Sequence, residues 1–102
     1  MTTSRKITPV IGGINRRFFQ AVEMLIQLNE LRSLEEFCKV CGLWSSRYRE
    51  MRFVYGVAPV PNKTSRYLYI EIEAMCYLVS KYNISAEWLL TGKGKILKTS
   101  KK

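Results

Sequence analysis

Residues 33–56, SLEEFCKVCGLWSSRYREMRFVYG, decide the reading of the fold. Ser33 suits an N-cap, and Glu36 completes an S-x-x-E capping box, so the spacing predicts a helix beginning just after Ser33. Leu34, Phe37, Cys38 and Cys41 follow at i, i+3, i+4 and i+7, the repeat of one apolar helix face. Gly42 stands where a left-handed residue ends a helix. Leu43 then plugs a turn, and a second helix is predicted from about Ser45 to Tyr55, with Trp44, Tyr48, Met51 and Tyr55 on its inner side. Its other side is polar and cationic: Ser45, Arg49 and Arg52 line up at i, i+4 and i+7, flanked by Ser46, Arg47 and Glu50. Two helices around a short glycine turn, the second presenting hydroxyls and guanidiniums, is how a helix-turn-helix looks in sequence. The same residues also fit an αα-corner with a solvated basic face, so the rest of the chain bears on the choice.

The chain has 102 residues, enough for one domain that buries a core without staples. Lys and Arg number 17 against 8 acidic residues, a net charge of +9, which implies a polyanionic partner, either nucleic acid or an acidic membrane surface. No apolar run approaches a membrane span and the N-terminus lacks a hydrophobic export segment, which places the chain in the cytoplasm. There is no histidine and every acidic residue is a glutamate, which removes the commonest general base and the commonest zinc ligand. Cys38 and Cys41 have C-x-x-C spacing, but only Cys76 is left to join them and no strand precedes them. Core packing accounts for them better than metal or redox chemistry. No metal or cofactor is expected.

Residues 1–13, MTTSRKITPVIGG, have no helical period, and Pro9 with the Gly12-Gly13 pair breaks what would otherwise form. A flexible arm is expected; Arg5 and Lys6 are placed to reach a phosphate or a minor groove, but a disordered terminus with incidental charge accounts for them better. Residues 14–28 carry Phe18, Val22, Leu25 and Ile26 at helical spacing, with Phe19 and Leu28 widening the buried stripe; Arg16 and Arg17 lie near that helix's N-terminus, where the dipole disfavours cations. After Tyr55, GVAPVPNKTSRY (56–67) reads as a loop, because each proline pushes its predecessor out of helical geometry. Lys63, Thr64, Ser65 and Arg66 sit together before the next helix, the composition of a phosphate clamp, although a local cap with two solvated cations would use the same residues. That helix, about 69–82, carries Ile70, Ala74, Tyr77 and Leu78, with Glu71 and Glu73 near its start. Ser85 caps a small helix of residues 86–90 ended by Gly92, and the lysine-rich tail is expected to fray. The organisation is therefore an arm (1–13), a five-helix all-α domain (14–94) and a basic tail (95–102).

This order of elements, closing with NISAEWLLTGKG at 83–94, resembles the lambda-repressor-like (Cro-type) helix-turn-helix family, whose phage, prophage and mobile-element members often end on an N-[VI]-S-x-x-W-L-L-T-G-x-G segment. The resemblance covers about residues 14–94. It implies a compact five-helix DNA-binding domain in which Trp88, Leu89 and Leu90 cap the core or support a dimer. It puts Tyr48 and Met51 on buried positions of the reading helix and Ser45, Ser46, Arg47, Arg49 and Glu50 on outward ones. Residues 63–66 then match the backbone-contacting loop. Trp44 departs from the small capping residue usual in the family, the 56–67 loop is longer than the common form, and the reading helix continues past the usual glycine stop.

On this reading the chain is a sequence-specific DNA-binding regulator, a repressor that occupies a double-stranded operator as a homodimer. Ser45, Ser46, Arg47, Arg49 and Glu50 would meet base edges, and Arg52, Lys63, Thr64, Ser65 and Arg66 would meet phosphates. The alternative is an adaptor or antitoxin-like interaction module, for which exposure of Phe53, Tyr67 and Tyr69 would speak, since large aromatics mark interfaces. RNA binding uses the same charge but has no stacking-sheet signature here. The absence of His, Asp and a glycine-rich phosphate loop speaks against an enzyme.

Overall fold

The computed structural model describes residues 7–98. Among them the order is α1 (Pro9–Gln27), α2 (Leu34–Cys41), α3 (Ser45–Tyr55), α4 (Ile72–Tyr82) and α5 (Ala86–Thr91), with no strand beyond an isolated bridge. The domain is all-helical and compact.

Helix α1 is the axis, with α3, α4 and α5 packed against it and α2 against α3. Phe18, fully buried on α1, meets Phe37 of α2 edge-on at 5.8 Å and Tyr48 of α3 at 5.6 Å, so one ring joins three helices. Leu25, Leu34, Cys38, Met51, Ala74, Leu78, Ile84 and Leu89 complete the core around it. Burial pushes the Cys38 thiol up to about 12, because a thiolate there would lose its hydration.

Local chemistry sets the ends of α2. The Ser33 hydroxyl accepts from the Glu36 N–H at 3.0 Å, and Gly42, at φ 70°, closes the C-terminus in the left-handed region. Glu36 reaches one residue further back than a capping box would have it, accepting from the Arg32 N–H at 2.7 Å. Helix α5 is bounded in the same way: Ser85 accepts from the Trp88 N–H, and Gly92 adopts φ 81°.

Several expectations are corrected. Helix α1 starts at Pro9 rather than near residue 14, since Pro9 occupies the first turn, where its missing N–H costs nothing, and the Thr8 hydroxyl accepts from the Ile11 N–H. The expected arm is therefore helical from Pro9 to Gly13, while Arg5 and Lys6 lie outside the described residues. With the helix extended, Arg17 is no longer at an N-terminus. Its guanidinium donates to the carbonyls of Leu89 (2.8 Å) and Leu90 (3.1 Å), supplying partners that the end of α5 lacks within its own helix. Leu28 is exposed rather than part of the stripe.

Helix α4 begins at Ile72, not near residue 69, and Glu71 takes the N-cap position. The start of the tail is paired rather than frayed. The Ser85 N–H donates to the Ile96 carbonyl at 2.8 Å and the Lys98 N–H to the Asn83 carbonyl at 2.9 Å, around the Ile84–Leu97 bridge. Residues 99–102 of the tail lie outside the described residues. Among the described residues no helix is long and apolar enough to cross a membrane.

Candidate functional site

Helix α3 buries Tyr48, Met51 and Tyr55. The stripe opposite consists of Ser46, Arg49, Glu50 and Phe53 at i, i+3, i+4 and i+7; Ser46, Arg49 and Phe53 are exposed and Glu50 is half-buried. Arg49 leans toward α2, its guanidinium 3.3 Å from the Ser46 hydroxyl and 3.6 Å from the Glu35 carboxylate, with about half its side chain in solvent. Arg52 is exposed on the flank facing α1, beside a groove of about 350 Å³ whose apolar wall is Phe19, Val22, Phe53 and Val60. The N-cap position is held by Trp44, which makes no side-chain cap, and the first turn of α3 carries no acidic residue. The positive end of its dipole is consequently uncompensated by side chains of that turn.

The long segment between α3 and α4 runs back alongside α3. The Val60 N–H donates to the Phe53 carbonyl at 2.9 Å, and Lys63 holds its ammonium 5.1 Å from the Phe53 ring centroid. Arg66 donates to Glu50 through both its backbone N–H (2.6 Å) and its guanidinium (2.9 Å). These bonds hold the Glu50 carboxyl below its usual range and raise Arg66. Further along, Leu68 accepts from the buried Asn15 amide at 2.9 Å, which ties the segment to α1. Arg47 completes the attachment: it donates to the Tyr69 carbonyl at 2.7 Å, stacks 4.8 Å from the Tyr67 ring and lies 4.0 Å from the Glu71 carboxylate. The chain matches no family model, no curated protein and no solved structure.

This geometry sorts the residues singled out in the sequence. Ser46 and Arg49 share one exposed face, with Ser45 half-buried at its edge. Arg47 does not share it, because only 23% of its side chain meets solvent and its Nη2 donates to the Tyr69 carbonyl, while its buried Nε has no hydrogen-bond partner. Glu50 points outward, but its carboxylate is already held by Arg66, so the two charges offset each other at the surface. The run from Lys63 to Arg66 is not a clamp at a helix N-terminus, because α4 starts only at Ile72. Lys63 and Thr64 are exposed, whereas Ser65 folds onto its own backbone, accepting from the Tyr67 N–H at 3.1 Å and donating to the Tyr67 carbonyl at 2.9 Å.

Trp44, expected on the inner side, is 62% exposed and meets the Tyr67 ring edge-on at 6.2 Å. Phe53 also belongs to the outward stripe, although the pattern of hydroxyls and guanidiniums does not include it. The i, i+3, i+4, i+7 count from Ser46 would have found it, since the same count assigns Tyr48, Met51 and Tyr55 inward. The resulting surface carries hydroxyl and guanidinium donors beside one aromatic ring, flanked by the cations Arg52 and Lys63.

Proposed function

We propose that the chain is a sequence-specific DNA-binding regulator in which α2 and α3 form a helix-turn-helix and α3 is presented to the major groove. The observation that carries this reading is the outward face of α3. Ser46 and Arg49 are exposed beside Arg52, on a helix whose other face is fixed by the buried Tyr48, Met51 and Tyr55. Arginine forks match guanine O6 and N7, so Arg49 is the base reader and favours G, with the Ser45 and Ser46 hydroxyls beside it. Arg52, Lys63 and Thr64 hold phosphates, as does the uncapped N-terminus of α3, fixing the register without reading sequence. The net charge of +9 supplies long-range attraction to the duplex. Two copies on a palindromic site give the affinity that one small domain lacks, and the outcome is repression by occupancy.

Selection from a randomised duplex pool at two salt concentrations tests the reading. An enriched palindrome is expected, with Arg49→Ala costing ~1–3 kcal/mol and relaxing one base position, and Lys63→Ala weakening all sequences alike. Sequence-blind binding at both salts, or an Arg49→Ala variant with unchanged preference, would sink it.

A second reading, a protein-interaction module, draws on the exposure of Trp44 (62%), Tyr69 (49%) and Ile72 (78%) around the start of α3 and the start of α4. Its signature is affinity for a partner that persists at high salt, where phosphate-driven binding is lost.

A further inference from the structure

Phe53 lies on the outward stripe of α3 and is 42% exposed, a large apolar ring beside the charged Arg49, Glu50 and Arg52. It is not loose. Its backbone carbonyl is bonded by the Val60 N–H, the Lys63 ammonium lies 5.1 Å from its ring centroid, and its side chain forms part of the groove wall with Phe19, Val22 and Val60. The ring is thus held in place while much of it stays in water. Polar readers on the same stripe distinguish bases by hydrogen bonds, which an aromatic ring cannot offer. The one apolar feature that a base pair presents in the major groove is the C5-methyl group of thymine.

Resting on the DNA-reading proposal above, we infer that Phe53 is a specificity-determining residue that packs on a thymine C5-methyl group. The helical rise of 1.5 Å per residue separates Phe53 from Arg49 by roughly 6 Å along α3, against about 3.4 Å between base pairs. The thymine therefore lies within about two base pairs of the guanine that Arg49 reads. Removing one methyl contact is comparable to exposing one CH₂ group, so the discrimination is about fourfold per half-site.

The test is a uracil scan of the duplex motif recovered by selection. Each thymine is replaced singly by deoxyuridine, which keeps the pairing and every hydrogen-bonding group but deletes the methyl. With the wild-type chain, binding should fall about fourfold at one position per half-site, within about two base pairs of the position that Arg49→Ala relaxes. Phe53→Ala should bind the thymine and uracil duplexes alike, and Phe53→Leu, which keeps an apolar side chain, should retain part of the difference. Thermal midpoints of both variants confirm that they remain folded, and the wild-type scan stands without them. A motif with no uracil-sensitive position overturns the assignment of Phe53 while leaving the DNA reading intact, as does a penalty that persists in Phe53→Ala. A pool that returns no motif overturns the DNA reading and this inference together.

Discussion

Arg47 brings a full charge to a place where under a quarter of its side chain meets solvent, and its contacts there are with the fold itself: the Tyr69 carbonyl, the Tyr67 ring and the Glu71 carboxylate. A charge-assisted bond of this kind is worth more than a surface ion pair. Arg47→Ala should lower stability by about 1–2 kcal/mol in urea unfolding and leave base preference unchanged, the reverse of the pattern expected for Arg49→Ala. Loss of a base preference in Arg47→Ala with full stability would place its guanidinium in the groove after all. Beneath it, Tyr48 is raised by burial first and by its 2.7 Å bond to Glu71 second, and Cys38 is pushed up to about 12 by burial. Above about pH 9 the unfolded chain sheds the Cys38 proton and above about pH 10 that of Tyr48, while the folded chain keeps both. The unfolded state then binds fewer protons, so stability is complete below pH 9 and declines between pH 9 and 12. Urea midpoints measured from pH 7 to 11 should be level and then fall; a flat profile through pH 11 would mean that neither group is desolvated.

At the scale of elements, the ends of α2 and α5 are decided within a few residues and could be read directly. Ser33 with Gly42 bounds α2, and Ser85 with Gly92 bounds α5, because caps depend on neighbouring backbone groups alone. Ser33→Ala should therefore cost about 1 kcal/mol by thermal or chemical unfolding, and a neutral result would show that Glu36 alone can hold that end. The buried faces of α2 and α3 were legible for a similar reason, their apolar period being intact from Leu34 to Cys41 and from Tyr48 to Tyr55. The start of α1 carries an equally local signal, the Thr8 cap with Pro9 in the first turn, but the Gly12-Gly13 pair gives the stretch the composition of a breaker and hides it. What sequence spacing could not supply at all was the attachment of the 57–71 segment. Glu50 meets Arg66 and Arg47 meets Tyr69 across separations of 16 and 22 residues, so both side chains find partners within the fold for reasons that no helical period contains. Arg17 belongs to the same class, reaching across 72 residues to Leu89 at the end of α5. Arg17→Ala should strip those carbonyls of their donor and lower stability by about 1–2 kcal/mol, with hydrogen exchange rising first in α5.

For the molecule as a whole, the surplus of 17 basic over 8 acidic residues acts in opposite directions on folding and on binding. A net charge of +9 repels itself in the compact state, and salt screens that repulsion as the Debye length falls from about 10 Å at 0.1 M to about 3 Å at 1 M. Among the described residues the ion pairs that salt would weaken all reach solvent on at least one side: Arg66 with Glu50 is 76% exposed at the arginine and 23% at the glutamate, Arg49 with Glu35 is half exposed on both sides, and Arg47 lies 4.0 Å from Glu71 at 23% and 39%. Such pairs contribute little to stability, so screening of repulsion prevails. Raising salt from 50 mM to 500 mM should consequently increase the thermal midpoint of the free chain. The same change should weaken duplex binding steeply, because every phosphate neutralised by Arg52, Lys63 or the remaining cations releases a condensed counterion. The slope of log affinity against log salt should lose about one unit in Arg52→Ala and in Lys63→Ala. It should stay nearly unchanged in Arg66→Ala, whose charge is already opposed by Glu50. Should Arg66→Ala flatten the slope as much as Lys63→Ala does, the Glu50 pair must open on the duplex, and Arg66 would join the residues that hold phosphate.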